Sequence, residues 1–297
     1  MTDTPTGFSL WLAGARLRTL PAAIVPVAVG TAVAVGEGSD TQWWRAALAL
    51  VVALALQVGV NFANDYSDGV RGTDGEDRVG PLRLVGSGLV APKQVKLAAT
   101  LAFAVAGVCG GVLALIVGPE LFVVGILSLI AGWTYTGGPR PYGYLGLGEV
   151  FVFVFFGLVA TIGTTYVLLE RVDALAVWCS ITVGLWATAL MVTNNLRDIP
   201  GDTVAGKQTL AVRLGDARTR DAYTLLHVVA IAVAIGVAAT LRIGAVGAIA
   251  AAPLAAVAIR AVRAGASGPA LIPVLGATAR AQMLGGLAMT VGLALTG

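Results

Sequence analysis

One stretch of the sequence gathers amide and acidic side chains at a spacing that suits metal binding. Five polar residues there, Gln57, Asn61, Asn64, Asp65 and Asp68, recur three or four positions apart. On a helix these positions share one face. Gln57 and Asn61 still lie within an apolar run, where polar groups are costly unless they have partners or line a wet cavity. The pattern therefore predicts a polar stripe that faces the interior of a helix bundle.

A second cluster between residues 193 and 209 has the same character. Asn194 and Asp198 lie one helical turn apart, and Asp202 follows four residues later. Pro200 disfavours helical backbone at the residue before it. We therefore expect Asp202 to lie on a turn rather than on the helix that carries Asn194 and Asp198.

Both clusters contain the pattern Asn-x-x-x-Asp, and the second copy follows the first by 130 residues. Each copy comes at the end of an apolar run that precedes a long polar loop. This agreement favours a weak internal repeat within one domain of residues 1–297, with halves at about 19–136 and 148–262. A chance match of one four-residue pattern is the alternative.

Carboxylate and amide oxygens indicate Mg²⁺, which commonly bridges one or two carboxylates to substrate phosphates. Two such clusters across a cavity could hold a diphosphate through metal ions, helped by nearby cations. Metal coordination would neutralise the charge that develops as a diphosphate leaves. Four basic residues are available near the clusters: Arg71, Arg140, Arg197 and Lys207.

The composition is that of an integral membrane protein. Hydrophobic residues make up 57% of the chain, charged residues only 12%, and the mean hydropathy is +0.87. A soluble domain carries about 25% charged residues. With about 20 apolar residues needed per span, we predict an all-α bundle of about nine transmembrane helices around a central cavity. Their ranges are 19–36, 44–64, 94–116, 121–136, 148–168, 174–195, 222–240, 243–262 and 276–296.

The basic residues are divided unevenly by this topology. Sixteen of the 19 Lys and Arg residues fall on one side, and Arg45, Arg171 and Arg242 fall on the other. The positive-inside rule makes the richer side cytoplasmic. We therefore expect the N-terminus and the polar clusters in the cytoplasm and the C-terminus outside. The excess of Arg over Lys is typical of a GC-rich bacterial genome, which favours a bacterial inner membrane. No basic run indicates nucleic acid.

Together the two clusters resemble the Asp-rich motifs of the UbiA superfamily of intramembrane prenyltransferases, and the resemblance covers nearly the whole chain. The first family motif, Asn-Asp-x-x-Asp-x-x-x-Asp, is matched by Asn64, Asp65 and Asp68. Gly72 stands at its final Asp position, and Asp74 is a candidate replacement.

The second family motif, Asp-x-x-x-Asp, falls on Asp198 and Asp202. The runs at 64–74, 194–198 and 206–215 resemble the branch that prenylates 1,4-dihydroxy-2-naphthoate in menaquinone synthesis. The segment from Tyr135 to Tyr142 is similar to a family loop near the substrates.

The resemblance implies Mg²⁺-assisted transfer of a chain from a polyprenyl diphosphate to the naphthoate, with loss of CO₂. It implies catalytic roles for Asp68, Asp198 and Lys207. The implied metal ligands are Asn64, Asp65, Asp68, Asn194, Asp198 and Asp202. The implied substrate-binding residues are Gln57, Asn61, Tyr66, Arg71, Tyr135, Arg140, Arg197 and Lys207.

Two alternatives stay open at this point. A sister transferase would use another aromatic acceptor, such as 4-hydroxybenzoate or homogentisate. An ion-coupled transporter would use intramembrane acids to bind its coupling ions. Transporter sites lie near the bilayer midplane, whereas these acids lie at the ends of apolar runs. The sequence does not indicate the oligomeric state or the length of the prenyl chain.

Overall fold

The computed structural model of the chain describes residues 5–38, 40–73, 80 and 82–297, and within these residues all regular structure is helical. A short 3₁₀ turn, Leu17–Thr19, follows the first helix, and another, Tyr142–Leu145, precedes the sixth. The ten helices are α1 Gly7–Ala15, α2 Pro21–Gly36, α3 Trp43–Arg71, α4 Pro92–Val117, α5 Glu120–Thr134, α6 Gly148–Leu169, α7 Ala174–Val204, α8 Leu210–Thr240, α9 Ile243–Arg263 and α10 Leu271–Leu295.

The prediction of a multi-pass all-helical membrane protein is confirmed. Each of the nine predicted segments overlaps one of the helices, within about two residues at its ends where it extends past the helix. Among the described residues, six helices (α3, α4, α6, α7, α8 and α9) are long and apolar enough to cross a membrane. The segment 7–19 and helix α2, bent by 56° at their junction, form a seventh candidate span, and α5 is a shorter apolar helix. The predicted count of nine is therefore a loose one.

Helices α3 and α7 are longer than predicted, so that Asn64 and Asp68 lie on α3 and Asn194, Asp198 and Asp202 lie on α7. Helix α7 continues through Pro200 to Val204. A proline within a helix removes one intrahelical hydrogen bond. In the turn that follows, the Thr203 hydroxyl donates to the Ile199 carbonyl at 2.7 Å. The prediction that Asp202 lies on a turn is wrong, and Asp202 continues the helical face of Asn194 and Asp198.

Helix α3 ends at Gly72, which adopts left-handed backbone with φ of 70°. Glycine reaches this conformation without the steric cost that a side chain adds. The departure from the family motif at this position therefore has a structural reason, since the residue is the helix C-cap. Asp74, the candidate replacement, lies outside the described residues.

The three basic residues predicted on the sparse side come together in ion pairs at one end of the bundle. Glu37 bonds the guanidinium groups of Arg171 at 2.9 Å and Arg242 at 2.6 Å. Arg45 pairs with Glu170 at 2.7 Å. These contacts lie at the ends of α2 and α6 and at the starts of α3, α7 and α9, which is the arrangement that the topology requires.

Helices α9 and α10 approach each other closely through glycines. A Cβ atom added at Gly244 would lie 2.1 Å from the carbonyl oxygen of Gly292, and one added at Gly292 would lie 2.2 Å from that of Gly244. Small residues of this kind let helix backbones pack tightly in lipid. Because the obstructing atoms belong to the backbone, a side chain at either position would separate the two helices.

Gly244→Ala is therefore expected to destabilise the fold by about 1–3 kcal/mol, the usual cost of overpacking. Thermal unfolding in detergent measures the effect. Gly236→Ala on α8 is the matched control, because no atom lies within 4 Å of a Cβ built there. Equal melting temperatures for the two variants would contradict the close approach.

Candidate active site

A cavity of about 1460 Å³ lies among helices α1 to α7 and the start of α10. Asn64 and Asp68 of α3 line it, and so do Asn194, Asp198 and Asp202 of α7. The structure thus brings the two polar clusters to one cavity, where the sequence predicts facing half-sites. Much of the remaining wall is apolar.

Lys207 connects the two clusters. Its ammonium nitrogen lies 3.0 Å from Asp68 Oδ2 and 4.0 Å from Asp202 Oδ1. Burial alone would lower the pKa of Lys207, but the Asp68 carboxylate, with Tyr144 and Asp202, raises that pKa above its ordinary value. The side chain is therefore a cation at neutral pH, placed between the clusters.

Asp68 is 2% exposed and has several partners. Besides Lys207, its carboxylate accepts a hydrogen bond from the Tyr144 hydroxyl at 2.7 Å and lies 3.8 Å from the Arg83 guanidinium. Burial and the Asp68 charge raise the pKa of Tyr144, so that its phenol stays protonated and can donate. The Tyr144 ring also faces the Lys207 ammonium at 4.6 Å.

Sequence reasoning missed Tyr144, Arg83 and the pair of Asn195 with Glu149. Asn195 lines the cavity and donates to the buried Glu149 carboxylate at 2.8 Å. Tyr144 lies two residues beyond the Tyr135–Tyr142 segment that resembles a family loop, which was the available signal. Nothing in the local pattern around Arg83 indicates that its guanidinium reaches Asp68.

The oxygen atoms on the cavity wall suit a hard cation. Asn64 Oδ1 is buried and has no hydrogen-bond partner among the described residues, and a buried polar atom of this kind is costly unless a ligand satisfies it. On the facing helix, Arg197 donates two hydrogen bonds to its neighbour Asp198, at 2.7 and 2.8 Å. Asp202 accepts a weaker bond from Thr209 at 3.5 Å.

The described residues contain no group of three or more His, Cys, Asp or Glu side chains that could hold a metal ion by themselves. This arrangement differs from a dedicated protein cage for a metal. Mg²⁺ usually keeps several waters and is bound through one or two carboxylates plus substrate phosphates. The spread of amide and carboxylate oxygens over two walls therefore fits Mg²⁺ that arrives with a diphosphate.

Gln57 and Asn61 line the cavity but already have protein partners. The Thr19 hydroxyl accepts from both side-chain amides, each at 3.0 Å, and donates to the Arg16 carbonyl at 2.9 Å. Asn61 also donates to the Ala15 carbonyl at 2.9 Å. These bonds fix the bend between α1 and α2 against α3, so the two amides shape the wall of the cavity.

Asp65 points away from the cavity. It is fully buried, and its two carboxylate oxygens accept the backbone N–H groups of Leu84 at 2.8 Å and Val85 at 2.9 Å. The structure therefore does not place this predicted metal ligand with Asn64 and Asp68. Consecutive residues of a helix point 100° apart, so Asp65 and Asn64 cannot both face the same ion easily.

Three further predicted residues, Arg71, Tyr66 and Arg140, are also not on the cavity wall. Arg71 donates to the carbonyl oxygens of Thr136 and Gly138, and so ties the loop after α5 to the end of α3. Tyr66 packs with the buried cluster around Phe62 and Leu84, with its ring 5.6 Å from the Lys96 ammonium. Arg140 is exposed on that same loop.

Tyr135, the remaining predicted residue, begins a row of aromatic rings along one wall. Its ring lies 5.5 Å from that of Tyr142, which stacks on Phe151 at 3.8 Å, and Phe155 follows at 5.9 Å. All four residues line the cavity. Such a wall can stack against an aromatic molecule or stabilise a cation over the ring faces.

Comparisons with known proteins agree with this geometry. Residues 23–269 match the UbiA prenyltransferase family. The chain is 50% identical over 288 residues to 1,4-dihydroxy-2-naphthoate octaprenyltransferase of Mycobacterium tuberculosis, with 97% of each chain covered. It is 40% identical over 227 residues to the enzyme of the same name from Escherichia coli, covering 71% of this chain and 70% of that one.

Solved structures show the same fold at low identity. A UbiA homologue from Aeropyrum pernix superposes with a TM-score of 0.71 at 16% identity, covering 91% of this chain and 97% of that one. A homologue from Archaeoglobus fulgidus, solved with DMAPP and Mg²⁺, gives 0.66 at 16% identity, covering 95% and 99%. With the family matched over most of its length and relatives this similar, the chain belongs to the UbiA prenyltransferase family.

Proposed function

We propose that this protein transfers a polyprenyl chain from polyprenyl diphosphate to 1,4-dihydroxy-2-naphthoate, with Mg²⁺ as cofactor and with loss of CO₂. One observation supports the proposal above all. Both polar clusters line one largely apolar cavity, and Lys207 lies between Asp68 of the first and Asp202 of the second. The relatives named for this reaction, at up to 50% identity over nearly the whole chain, support the choice of acceptor.

Asn64 and Asp68 would hold Mg²⁺ on one wall, and Asn194, Asp198 and Asp202 on the other. The unpartnered Oδ1 of Asn64 supports this set. When bound, Mg²⁺ would neutralise the negative charge of the leaving diphosphate. The structure solved with DMAPP and Mg²⁺ shows that one family member binds both.

The cations of the site would change partners as the diphosphate binds. In the described structure Lys207 and Arg83 lie against Asp68, and Arg197 lies against Asp198. If Asp68 and Asp198 held metal, the three basic groups would be available to phosphate oxygens. Charge-assisted hydrogen bonds of this kind are about twice as strong as neutral ones, so the basic groups would hold the diphosphate as its charge grows.

The reaction then needs an electron-rich ring beside the breaking bond. The bond from the first prenyl carbon to the diphosphate oxygen breaks, and both electrons stay on the oxygen. The ring carbon that bears the carboxylate supplies the pair for the new carbon–carbon bond, and the pair of its bond to the carboxylate returns to the ring as CO₂ departs, which restores the aromatic ring. The aromatic wall formed by Tyr135, Tyr142, Phe151 and Phe155 would stack on the acceptor and stabilise the allylic cation.

We also propose a bacterial cell membrane as the location, with the active site at the cytoplasmic face. The support is the charge asymmetry of 16 basic residues against three. The three exceptions, Arg45, Arg171 and Arg242, share the ion pairs at the opposite end of the bundle.

Two alternatives remain to be compared with this proposal, an ion-coupled transporter and a sister transferase. Membership of a prenyltransferase family disfavours an ion-coupled transporter. A sister enzyme with another acceptor is tested by competition. Purified protein is incubated with Mg²⁺, a polyprenyl diphosphate and equal concentrations of 1,4-dihydroxy-2-naphthoate, 4-hydroxybenzoate and homogentisate. The products are identified by mass spectrometry. We expect a prenylated naphthoquinol that lacks the carboxylate. A product from either other acceptor alone would overturn the assignment.

Asp65→Asn separates a structural role from metal binding. An amide has only one acceptor oxygen, so one of the two buried N–H groups, of Leu84 or Val85, would lose its partner. Leaving such a group unsatisfied costs about 1–3 kcal/mol. We expect a lower melting temperature and an unchanged Mg²⁺ concentration for half-maximal activity. A raised Mg²⁺ requirement with unchanged melting would instead make Asp65 a ligand.

Tyr144→Phe tests the positioning of Asp68. The change removes the hydrogen bond to the carboxylate but keeps the ring beside Lys207. A hydrogen bond to a charged group contributes about 1.5–3 kcal/mol, so we expect kcat/KM for the diphosphate to fall about tenfold to a hundredfold. Tyr142→Phe is the control, since the Tyr142 hydroxyl bonds a backbone carbonyl. Equal effects from both substitutions would argue against the role of Tyr144.

A further inference from the structure

The cavity extends far beyond the polar clusters. Along α3 its lining runs from Asp68 back to Ala49, and 19 residues of α-helix correspond to about 28 Å. We call the part beyond Leu56, between α3, α4, α5 and α6, the deep arm. It is lined by apolar residues and glycines, among them Val52, Gly107, Gly110, Phe122 and Gly125.

The glycines of the deep arm are not explained by helix packing. Gly59 and Gly132 illustrate packing glycines, because a Cβ at either would press on the Phe103 ring at 2.8 and 3.1 Å. At Gly110 the nearest atom to an added Cβ belongs to Val52, at 3.9 Å, and at Gly125 nothing lies within 4 Å. Neither position brings two backbones together, so the space beside these glycines belongs to the cavity.

The chemistry of the deep arm suits a hydrocarbon chain. Ser128 lines it, but its hydroxyl already donates to the Val124 carbonyl at 2.8 Å. Phe122 of the apolar helix α5 also lines the arm and is 40% exposed. The arm is continuous with the polar clusters, and Val52 lies about 24 Å along α3 from Asp68.

We propose that Gly110 and Gly125 determine how long a prenyl chain the enzyme accepts, by keeping the deep arm open to the distal part of the donor. This inference rests on the proposed function. A short donor ends before it reaches these glycines, whereas a long donor must pass beside them. Selectivity for chain length would therefore lie far from the diphosphate and would not depend on the groups that bind it.

The test uses Gly110→Leu and Gly125→Leu in the full-length protein, with geranyl diphosphate and octaprenyl diphosphate as donors. Both glycines line the arm, and an added Cβ at either would meet no atom closer than 3.9 Å, so a leucine side chain would occupy open space beside the arm. Gly236→Leu on α8 is the matched control, since Gly236 is an exposed helical glycine with open space around it and does not line the cavity. Replacing glycine within a helix favours helical backbone, so folding should be retained.

For each variant we expect kcat/KM for the octaprenyl donor to fall at least about tenfold, equivalent to about 1.4 kcal/mol. The value for the geranyl donor should stay within about twofold, and the control should change neither. An equal loss for both donors, or no loss for either, would overturn the role of the glycines. Absence of product from any donor with the unaltered protein would instead contradict the proposed function itself.

Discussion

Asp68→Asn is expected to lower kcat/KM by about 10²–10³-fold or more, the range seen when one group that stabilises developing charge is removed from an active site. Three observations converge on this carboxylate. It is almost fully buried, it lies against Lys207 and Arg83, and it accepts a hydrogen bond from the Tyr144 hydroxyl. The amide keeps the shape but loses the charge that would attract Mg²⁺. Steady-state kinetics at saturating Mg²⁺ measure the effect.

Asp216→Asn is the control for this substitution. Asp216 forms an ion pair with Arg220 at 2.6 Å on an exposed surface of α8, outside the cavity. Exposed ion pairs contribute little to stability, so we expect near-normal activity from the control. If Asp68→Asn retained full activity, the metal assignment on α3 would be wrong.

Asp198→Asn is expected to cause a loss of similar size, because the second wall would then lack its central carboxylate. The two losses should not add. When groups act on one transition state as a unit, the double variant is about as impaired as either single one. We therefore expect the double variant of Asp68 and Asp198 to lie within about tenfold of the weaker single variant. Fully multiplicative losses would indicate that the two clusters act independently.

This substitution also leaves the buried Arg197 without its carboxylate, and an unpaired buried charge can cost about 3–5 kcal/mol. The combined change Arg197→Gln with Asp198→Asn removes both charges, so it separates the effect on stability from the effect on activity. We expect its melting temperature to return toward that of the unaltered protein while its activity stays low. Recovery of activity together with stability would assign Asp198 a structural role.

The general architecture could be predicted from sequence because the bilayer restricts the possibilities. Backbone N–H and C=O groups in lipid must find hydrogen-bond partners within their own segment. Long apolar runs are therefore predicted to be helices. The spacing of Asn64 and Asp68, repeated in Asn194 and Asp198, was enough to predict that both clusters face a cavity. These residues depend only on helical periodicity, which is a local property.

The differences between the predicted site and the structure come mainly from contacts between distant parts of the chain. Asp65 satisfies the motif, but the backbone of residues 84 and 85 returns to occupy its carboxylate. Arg71 similarly reaches the loop after α5. Pro200 predicted that the helix ends before it, but α7 continues through Pro200 to Val204. Local spacing carries no information on which loop returns to which helix, and so it could not separate the residues on the cavity wall from their neighbours.

The internal repeat stays a prediction. Helices α3 and α7 are both long, at 29 and 31 residues, and each carries its polar cluster in its last turns. Superposing the halves at about 19–136 and 148–262 would test it. A single rotation that aligns α3 with α7 and their neighbours would support the repeat, and the absence of such an operator would leave the shared pattern as coincidence.

The central claim is that two facing clusters bind one diphosphate jointly through Mg²⁺. The most direct test is calorimetric binding of a prenyl diphosphate to the protein in nanodiscs, with Mg²⁺ or with EDTA, for the unaltered chain and for Asp68→Asn and Asp198→Asn. We predict binding that requires Mg²⁺ and that either substitution weakens by at least about tenfold, or about 1.4 kcal/mol. Equally tight binding in EDTA, or binding that neither substitution weakens, would contradict the claim.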